Sequence, residues 1–399
     1  MTDLSKQKTA NGPPEIGFFG LQALVFALVA AAISNVYITQ PVLPVIEKEF
    51  GVNPSQASYT VSAVILGISI ANLPFGWLAD RVPVRRLILV GGAVVAAAGF
   101  CCAATTSLPL LVAARFVQGL FVPALTTCLA AYLSANLPLE RLNVVMGSYV
   151  SATVAGGLGG RLLGGWIHPP LHWRYAFVTA AILLLGATFM AAWRLPEGKR
   201  PEEGGAENEG FLALLKQPAL SRIFLVAFGG FFVFSSVFNY LPFYLHRPPF
   251  NASTNLITLL YLSYLIGVFI GPVAGNLSNR IGNGGTMVLG SLVFALALGL
   301  TLIKSLIAIV AALALVCAGF FAIHAAAAGS LNRKLTSSRG RANSLYVLAY
   351  YLGGAVGITV SGYAYGLAGW PGVAVLGAAM LALPFATGWS ERRREQSGE

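Results

Sequence analysis

Apolar residues occur along this chain in twelve long runs, separated by short polar or glycine-rich turns. A run of about 20 apolar residues can cross the hydrocarbon core of a membrane as an α-helix. The pattern therefore predicts twelve transmembrane helices, which we number as spans 1 to 12. Their predicted bounds are 18–44, 56–79, 86–106, 108–133, 143–167, 174–194, 221–245, 255–279, 285–303, 306–330, 342–365 and 370–389.

The turn between spans 2 and 3 is a distinctive polar stretch, and part of it occurs twice. Gly76 and Arg81 recur 199 positions later as Gly275 and Arg280, between spans 8 and 9. An echo at half the chain length indicates a duplicated unit, which is typical of secondary transporters. We therefore predict an all-α polytopic membrane protein of two pseudo-symmetric six-helix bundles. The residues of interest in the turn are Gly76, Asp80, Arg81, Arg85 and Arg86.

The boundaries of the two bundles follow from the same pattern. Residues 18–194 form the predicted N-terminal bundle and residues 221–389 the C-terminal bundle. The charge-dense, glycine-rich stretch 195–220 is typical of a flexible linker. Residues 1–17 are a polar N-terminal tail, and residues 390–399 form a basic C-terminal tail.

Composition and charge support a membrane protein with a defined orientation. The chain is 56% hydrophobic and 10% charged, with a mean hydropathy of +0.75, which excludes a soluble domain of this size. Of 25 Lys and Arg residues, 19 fall on the side that carries both termini and the linker, 4 on the other side and 2 within spans. This asymmetry predicts cytoplasmic termini and a multi-pass protein of the plasma membrane, in bacteria the inner membrane.

Few charged or titratable groups lie inside the spans. All fourteen acids fall outside the span interiors, whereas Arg115, Arg161 and His324 fall inside. At about 1.5 Å per residue, the arginines lie about 10 and 9 Å below the outer span ends, and His324 about 9 Å from an inner end. The arginines either bind an anionic substrate or tether helices through carbonyl oxygens. His324 either carries a proton or packs as a neutral residue.

Further side chains complete the predicted sites. Polar and aromatic residues on several spans are candidates for the central cavity, because buried hydroxyl and amide groups need partners. The phenyl rings of span 7 are typical of lipid-facing or core residues. The cavity candidates besides the two arginines are Asn35, Tyr37, Gln40, Gln118, Asn239, Tyr240, Tyr350 and Tyr351. Glycines expected to let helices pack closely or slide are Gly156, Gly157, Gly159, Gly160, Gly353 and Gly354.

Several motifs resemble the major facilitator superfamily. Gly76-x-Leu-Ala-Asp80-Arg81-x-x-x-Arg85-Arg86 is similar to its loop-2/3 signature, although Pro83 stands where the family usually has glycine and Asn279 replaces the acid in the second copy. The stretch 115–119 resembles the fourth-span signature. The glycine run 156–165 resembles the fifth-span motif of twelve-span drug:proton antiporters, without its proline.

Other stretches resemble one branch of this family, the YnfM-like efflux proteins. These are Ala318-Gly-Phe-Phe-Ala-x-His324 and Ser344-Leu-Tyr346-x-x-x-Tyr350-Tyr351-Leu-Gly353, together with Gly160-Arg161 and Phe238-Asn239-Tyr240. The resemblance implies alternating access about a central cavity, with the turn after span 2 acting as a latch on the cytoplasmic side.

We therefore expect a secondary transporter that exports a small organic solute by proton antiport. The positive interior predicts a preference for anionic or oxygen-rich substrates. A facilitator or importer of sugars or metabolites and a multidrug exporter remain open. An enzyme and a channel are disfavoured, since the sequence has no catalytic dyad, metal cluster, nucleotide loop or filter-like repeat. We expect a monomer in the lipid bilayer that handles protons and a small molecule, without nucleic acid, metal or cofactor.

Overall fold

A computed structural model describes residues 17–196, 210–335 and 338–397 of this chain. Within these ranges the chain forms helices and no strand. Residues 1–16 and half of the predicted linker, 197–209, lie outside them. The helices of the N-terminal half are Phe18–Tyr37 and Leu43–Phe50 on either side of a 3₁₀ turn (span 1), Pro54–Ala79 (span 2), Val84–Ala104 (span 3), Leu108–Leu125 with Thr127–Asn136 (span 4), Leu139–Ile167 (span 5) and Trp173–Arg194 (span 6).

The C-terminal half begins with a short helix inside the predicted linker. We call the face that carries this helix and the chain ends the inner face, after the predicted orientation, and the opposite face the outer face. The helices of this half are Phe211–Lys216, Pro218–His246 (span 7), Thr254–Leu260 followed by a 3₁₀ turn and Leu265–Leu300 (spans 8 and 9), Leu306–Lys334 (span 10), Arg339–Met380 (span 11 and the start of span 12) and Ala382–Ser397 (span 12).

Two helical stretches turn back at a glycine. Gly282 and Gly369 have φ values of +79° and +61°, a backbone conformation that glycine adopts without a steric penalty. Ser278 Oγ lies 3.1 Å from Thr286 Oγ1, although residues eight apart in a straight helix are about 12 Å apart. Each stretch therefore crosses the membrane twice.

The described helices cross the membrane twelve times. Nine helical stretches are long and apolar enough to span a membrane, and because two of these cross twice, they supply eleven crossings. The helix Leu139–Ile167 is the twelfth. The predicted fold of twelve spans in two bundles is confirmed.

Some helices at the inner face extend beyond their predicted bounds. Span 10 runs to Lys334, so that His324 lies about 15 Å from its inner end rather than about 9 Å. The last helix continues through Ser397, where the sequence suggested a separate tail. Glu395 on this extension accepts a hydrogen bond from the backbone N–H of Asn283 at 3.0 Å. A carboxylate is favourable there because the first N–H groups of span 9 have no partner within the helix.

Glycines on span 5 bring it against the backbone of span 1. A methyl group on Gly156 would lie 2.5 Å from the carbonyl oxygen of Ala30, and one on Gly160 would collide with that of Ser34. Gly159 faces open space instead. Only one side of this glycine run therefore provides the close contact between the two helices.

The C-terminal half repeats this contact between spans 11 and 7. A methyl group on Gly353 would collide with the carbonyl oxygen of Phe228. A methyl group on Gly357 would lie 2.5 Å from the carbonyl oxygen of Phe232. Gly354 lies against a phenyl ring of span 7. Each half thus packs its fifth helix on its first helix through glycines one turn apart, which is direct structural evidence for the duplication.

Candidate functional site

Arg161 lies where the two halves meet and forms the centre of the candidate site. Its Nε donates to Gln40 Oε1 at 2.7 Å, Nη1 to the carbonyl of Gly157 at 2.6 Å and Nη2 to the Tyr264 hydroxyl at 2.8 Å. The residue is only 2% exposed. Gln40 and Gly157 belong to the N-terminal half and Tyr264 to the C-terminal half, so this guanidinium connects both.

Aromatic rings surround the same guanidinium. Its central carbon lies 4.0 Å from the ring centre of Tyr37, 4.2 Å from that of Tyr264 and 5.4 Å from that of Tyr261. A cation over a desolvated aromatic face gains about 2 kcal/mol. Among the described residues, Arg161 has no carboxylate partner, and its charge is balanced by neutral groups alone.

Two interrupted helices position these partners. The first helix of span 1 ends at Tyr37, and a 3₁₀ turn, Gln40–Val42, precedes the next helix. Pro41 explains the break, because proline lacks a backbone N–H and disfavours helical geometry in the residue before it. In span 8 the backbone forms a 3₁₀ turn over Tyr261–Tyr264. Interruptions of this kind within spans accompany ligand sites in transporters.

Arg115 has a different environment. It is fully buried and donates to the carbonyls of Thr60 at 2.8 Å, Asn35 at 2.5 Å and Val36, and to Gln118 Oε1 at 2.6 Å. These residues lie on spans 1, 2 and 4 of the N-terminal half. The sequence placed the two arginines in one cavity, but the geometry gives Arg115 the contacts of a helix tether.

Asn239 and Tyr240 lie in the outer half of span 7, about 10 and 9 Å from its end at His246. Asn239 Nδ2 donates to Ser58 Oγ at 2.8 Å and so links span 7 to span 2 of the other half. The Tyr240 hydroxyl donates to the carbonyl of Ile358 at 2.8 Å, within its own half. Asn239 therefore hydrogen-bonds across the boundary between the halves, and the Tyr240 hydroxyl also lies beside Ser55 of span 2.

Hydrogen bonds between the halves extend from the outer face to the middle of the membrane. At the outer face, Arg247 pairs with Glu47 at 3.0 Å. The Ser69 hydroxyl donates to the carbonyl of Leu348 at 3.1 Å, about 22 Å from the outer end of span 2. The halves are therefore joined from the outer face, past the level of Arg161, to about the middle of the membrane.

Aromatic side chains cover the wall of the C-terminal half. Tyr350 stacks on Phe231 at 3.8 Å, and Tyr351 meets Tyr350 edge-on at 5.2 Å. Phe234 stacks on Phe320 at 3.9 Å. The span 7 rings are buried, as core residues would be, whereas the two tyrosines are half-buried.

His324 lies in this aromatic wall. Its Nδ1 is 3.0 Å from the Tyr346 hydroxyl, and its ring packs 5.3 Å from Tyr350 and 6.0 Å from Phe320. The residue is half-buried and has no acidic partner among the described residues. Neutral groups therefore surround a side chain that can accept a proton.

The turn after span 2 is exposed at the inner face. Asp80 is exposed and has no hydrogen bond or salt bridge within the described part of the chain. Arg81 folds back over an indole of its own helix at 4.0 Å, while Arg85 donates to a carbonyl at the end of span 6. Arg86 is exposed, and Gly76 faces open space. Arg81 and Arg85 thus contact groups of the N-terminal half.

A cavity of about 420 Å³ lies elsewhere, at the inner ends of spans 8 to 10. Its lining includes Asn279 and Arg333 but neither Arg161 nor His324. It borders the second copy of the turn rather than the candidate site.

Sequence reasoning missed Tyr261 and Tyr264, the partners of Arg161 from the C-terminal half. Two tyrosines three positions apart on one span share a helix face, and this spacing was the available signal. It did not indicate that the face points at a charge in the other half.

Comparison with known proteins agrees with this architecture. The family model of the Major Facilitator Superfamily matches residues 25–326 and 248–398. The chain is 29% identical over 388 residues to the inner membrane transport protein YnfM of Escherichia coli strain K12, covering 96% of this chain and 93% of the relative. It is 30% identical over 391 residues to the probable transporter SCO4007 of Streptomyces coelicolor, covering 94% and 86%.

A solved structure has the same fold. It is a bacterial homologue of the human lysosomal transporter Spinster, inward-facing and unoccupied, with a TM-score of 0.74 at 15% identity over 94% of this chain and 96% of that chain. With the twelve spans and the family match, the conclusion is that this chain belongs to the Major Facilitator Superfamily and is a membrane transporter of small molecules rather than an enzyme.

Proposed function

We propose that this transporter exports a small organic anion across the bacterial inner membrane in exchange for protons, with both termini in the cytoplasm. The observation that carries the proposal is Arg161, a buried cation at the junction of the halves with neutral partners only among the described residues. Transport proceeds by alternating access, with the protein acting as a monomer.

Charge balance favours an anion over a cation. A charged side chain inside a membrane costs several kcal/mol unless it is paired, about 2.5–3.5 kcal/mol on insertion scales. Arg161 is stabilised by oxygen atoms and rings but keeps its full positive charge. An anionic group beside it would complete the pair, whereas a lipophilic cation would be repelled. The substrate preference therefore follows from the sign of this site.

The aromatic wall suggests the rest of the substrate. Tyr264 contacts Arg161 and also packs on Phe234 at 5.2 Å and Phe238 at 4.5 Å. The charged site is thus continuous with the rings of spans 7, 10 and 11. A planar apolar group attached to the anion would pack against these rings.

His324 is the proposed proton carrier. It is the histidine inside a span, it contacts the Tyr346 hydroxyl, and the groups that face it are Tyr346, Tyr350 and Phe320. Protonation would place a positive charge in a neutral environment, so that the charged form depends on the conformation around it.

The observed arrangement fits the loading stage of an exporter. The halves are joined from the outer face to about the middle of the membrane, while Asp80 of the latch turn is exposed and unpaired among the described residues. An inner face that is open to the cytoplasm is the form that binds a solute for export.

The test uses two aromatic probes of permanent and opposite charge. Purified protein is reconstituted in proteoliposomes with an acidic lumen, and uptake of naphthalene sulfonate and of tetraphenylphosphonium is measured. We expect uptake of the sulfonate that needs the pH gradient and is abolished by a proton ionophore. Uptake or thermal stabilisation by the cation alone would refute the anion proposal, and uptake independent of the gradient would refute proton exchange.

A further inference from the structure

We propose that Tyr264 is a positioning residue that keeps the outer side closed by occupying Arg161, and that an oxyanion group of the substrate takes its place. The gating part stands on the contacts of Tyr264. The identity of the replacing group rests on the proposed function, because it requires an anionic substrate.

The contact crosses the boundary that must open. Arg161 lies on span 5 and Tyr264 on span 8, and their hydrogen bond is 2.8 Å long. Nearer the outer face, the same two spans touch where a methyl group on Gly165 would collide with the Thr258 hydroxyl. Opening of the outer side separates spans 5 and 8, so it also breaks the bond between Arg161 and Tyr264.

A neighbouring tyrosine in the same 3₁₀ turn makes a different bond. The Tyr261 hydroxyl donates to the carbonyl of Phe238 at 2.9 Å, and both residues belong to the C-terminal half. Its ring also lies near Arg161, at 5.4 Å. Movement of the two halves relative to each other leaves this bond intact. Of these two hydroxyl groups, the one on Tyr264 holds the halves together.

The position that Tyr264 vacates suits an oxyanion. A guanidinium has five N–H groups, and three hydrogen bonds are described for Arg161. Gln40 is fully buried, and its Nε2 has no hydrogen-bond partner among the described residues. Its amide orientation is set because Oε1 accepts from Arg161. Together the two side chains offer N–H donors to a carboxylate, sulfonate or phosphate.

Competition for Arg161 links substrate binding to the outer side. Without substrate, Tyr264 occupies the guanidinium and the outer side stays closed. An anion that binds Arg161 removes the advantage of that closed contact, so the outward-open form gains population. The same residue pair thereby prevents opening of the empty transporter to the outside.

The test measures outer opening directly. A reporter, Thr258→Cys, is buried in the closed seam, and the four native cysteines are replaced by serine or alanine. Labelling with a membrane-impermeant maleimide is followed in right-side-out membranes without substrate. Tyr264→Phe should raise the labelling rate about 3- to 10-fold, the effect of losing one hydrogen bond. Tyr261→Phe is the matched control and should leave the rate unchanged.

Two further measurements keep the proposal falsifiable. Arg161→Gln should raise the rate as Tyr264→Phe does, and the double variant should show no additional increase, because both remove one interaction. Naphthalene sulfonate should raise labelling of the reporter protein that retains Tyr264 and have less effect on Tyr264→Phe. The gating role would be overturned if Tyr264→Phe left the labelling rate unchanged, or if Tyr261→Phe raised it equally. It would also be overturned if the effects of Arg161→Gln and Tyr264→Phe on the labelling rate were additive. If Tyr264→Phe raises the labelling rate but naphthalene sulfonate does not change it, the anion proposal is refuted and the gating role stands.

Discussion

The guanidinium of Arg161 donates a hydrogen bond of 2.8 Å to the hydroxyl of Tyr264, and this bond joins the two halves of the transporter. Arg115, on the preceding span, makes its described hydrogen bonds within the N-terminal half. Two arginines with similar depth in the membrane therefore have different structural roles. Arg161 joins the two halves, and Arg115 joins helices within one bundle.

Lysine substitutions should separate these roles. Arg161→Lys keeps the charge but loses the planar fork, so we expect transport of naphthalene sulfonate to fall at least about 10-fold with little change in thermal stability. Arg115→Lys should lower the free energy of unfolding by roughly 1–3 kcal/mol, because carbonyls buried in its bundle lose their donors. Transport assays and thermal melts in detergent measure the two effects. Normal transport by Arg161→Lys would show that this arginine is a tether as well.

Neutralisation of the latch acid should slow the transport cycle. Asp80 is exposed at the inner face in the outer-closed form, so Asp80→Asn should leave folding unchanged. If Asp80 closes the inner face in the opposite form, Asp80→Asn should reduce the transport rate several-fold. Initial rates in proteoliposomes of matched protein content provide the measurement, and Asn279→Ala in the second copy of the turn is the control. An unaltered rate in Asp80→Asn would rule out the latch role.

Removal of the imidazole should separate substrate flux from the pH gradient. We expect His324→Gln to lose accumulation driven by an acidic lumen while it still exchanges labelled for unlabelled substrate. The reason is that glutamine keeps hydrogen bonding to Tyr346 but cannot take up a proton. Tyr346→Phe, which retains the imidazole, should remain coupled to the gradient. Full accumulation by His324→Gln would show that the proton uses another path or that no proton is exchanged.

Two adjacent glycines of span 5 offer a test of helix packing. Gly160→Ala should destabilise the protein by roughly 1–3 kcal/mol, because the new methyl group would collide with the Ser34 carbonyl and force spans 1 and 5 apart. Gly159→Ala should be neutral or stabilising by up to about 1 kcal/mol, since its methyl group would face open space and alanine favours a helix. Thermal melts of the two variants decide the matter, and equal destabilisation would contradict the packing described.

The positions of the helices could be predicted from the sequence more completely than the contacts between them. Each of the twelve spans is found near its predicted position, with larger differences at ends such as Lys334 and Ser397. Hydropathy indicates which residues are buried in lipid. At the inner face the helices continue through polar residues, so hydropathy does not show where they end. The glycine run of span 5 was recognised, but the side of it that touches span 1 was visible only in the structure.

The membrane class, the number of spans and the duplicated architecture could be read from the sequence, because these depend on local composition and on the length of apolar runs. The sequence also indicated that Arg115, Arg161 and His324 carry the unusual polar groups of the interior. The contact of Arg161 with Tyr264, and those of Arg115 with carbonyls of its own half, became visible in the folded structure. The reason is that the rotation of each helix about its axis, and the helix it faces, arise from packing between segments distant in sequence.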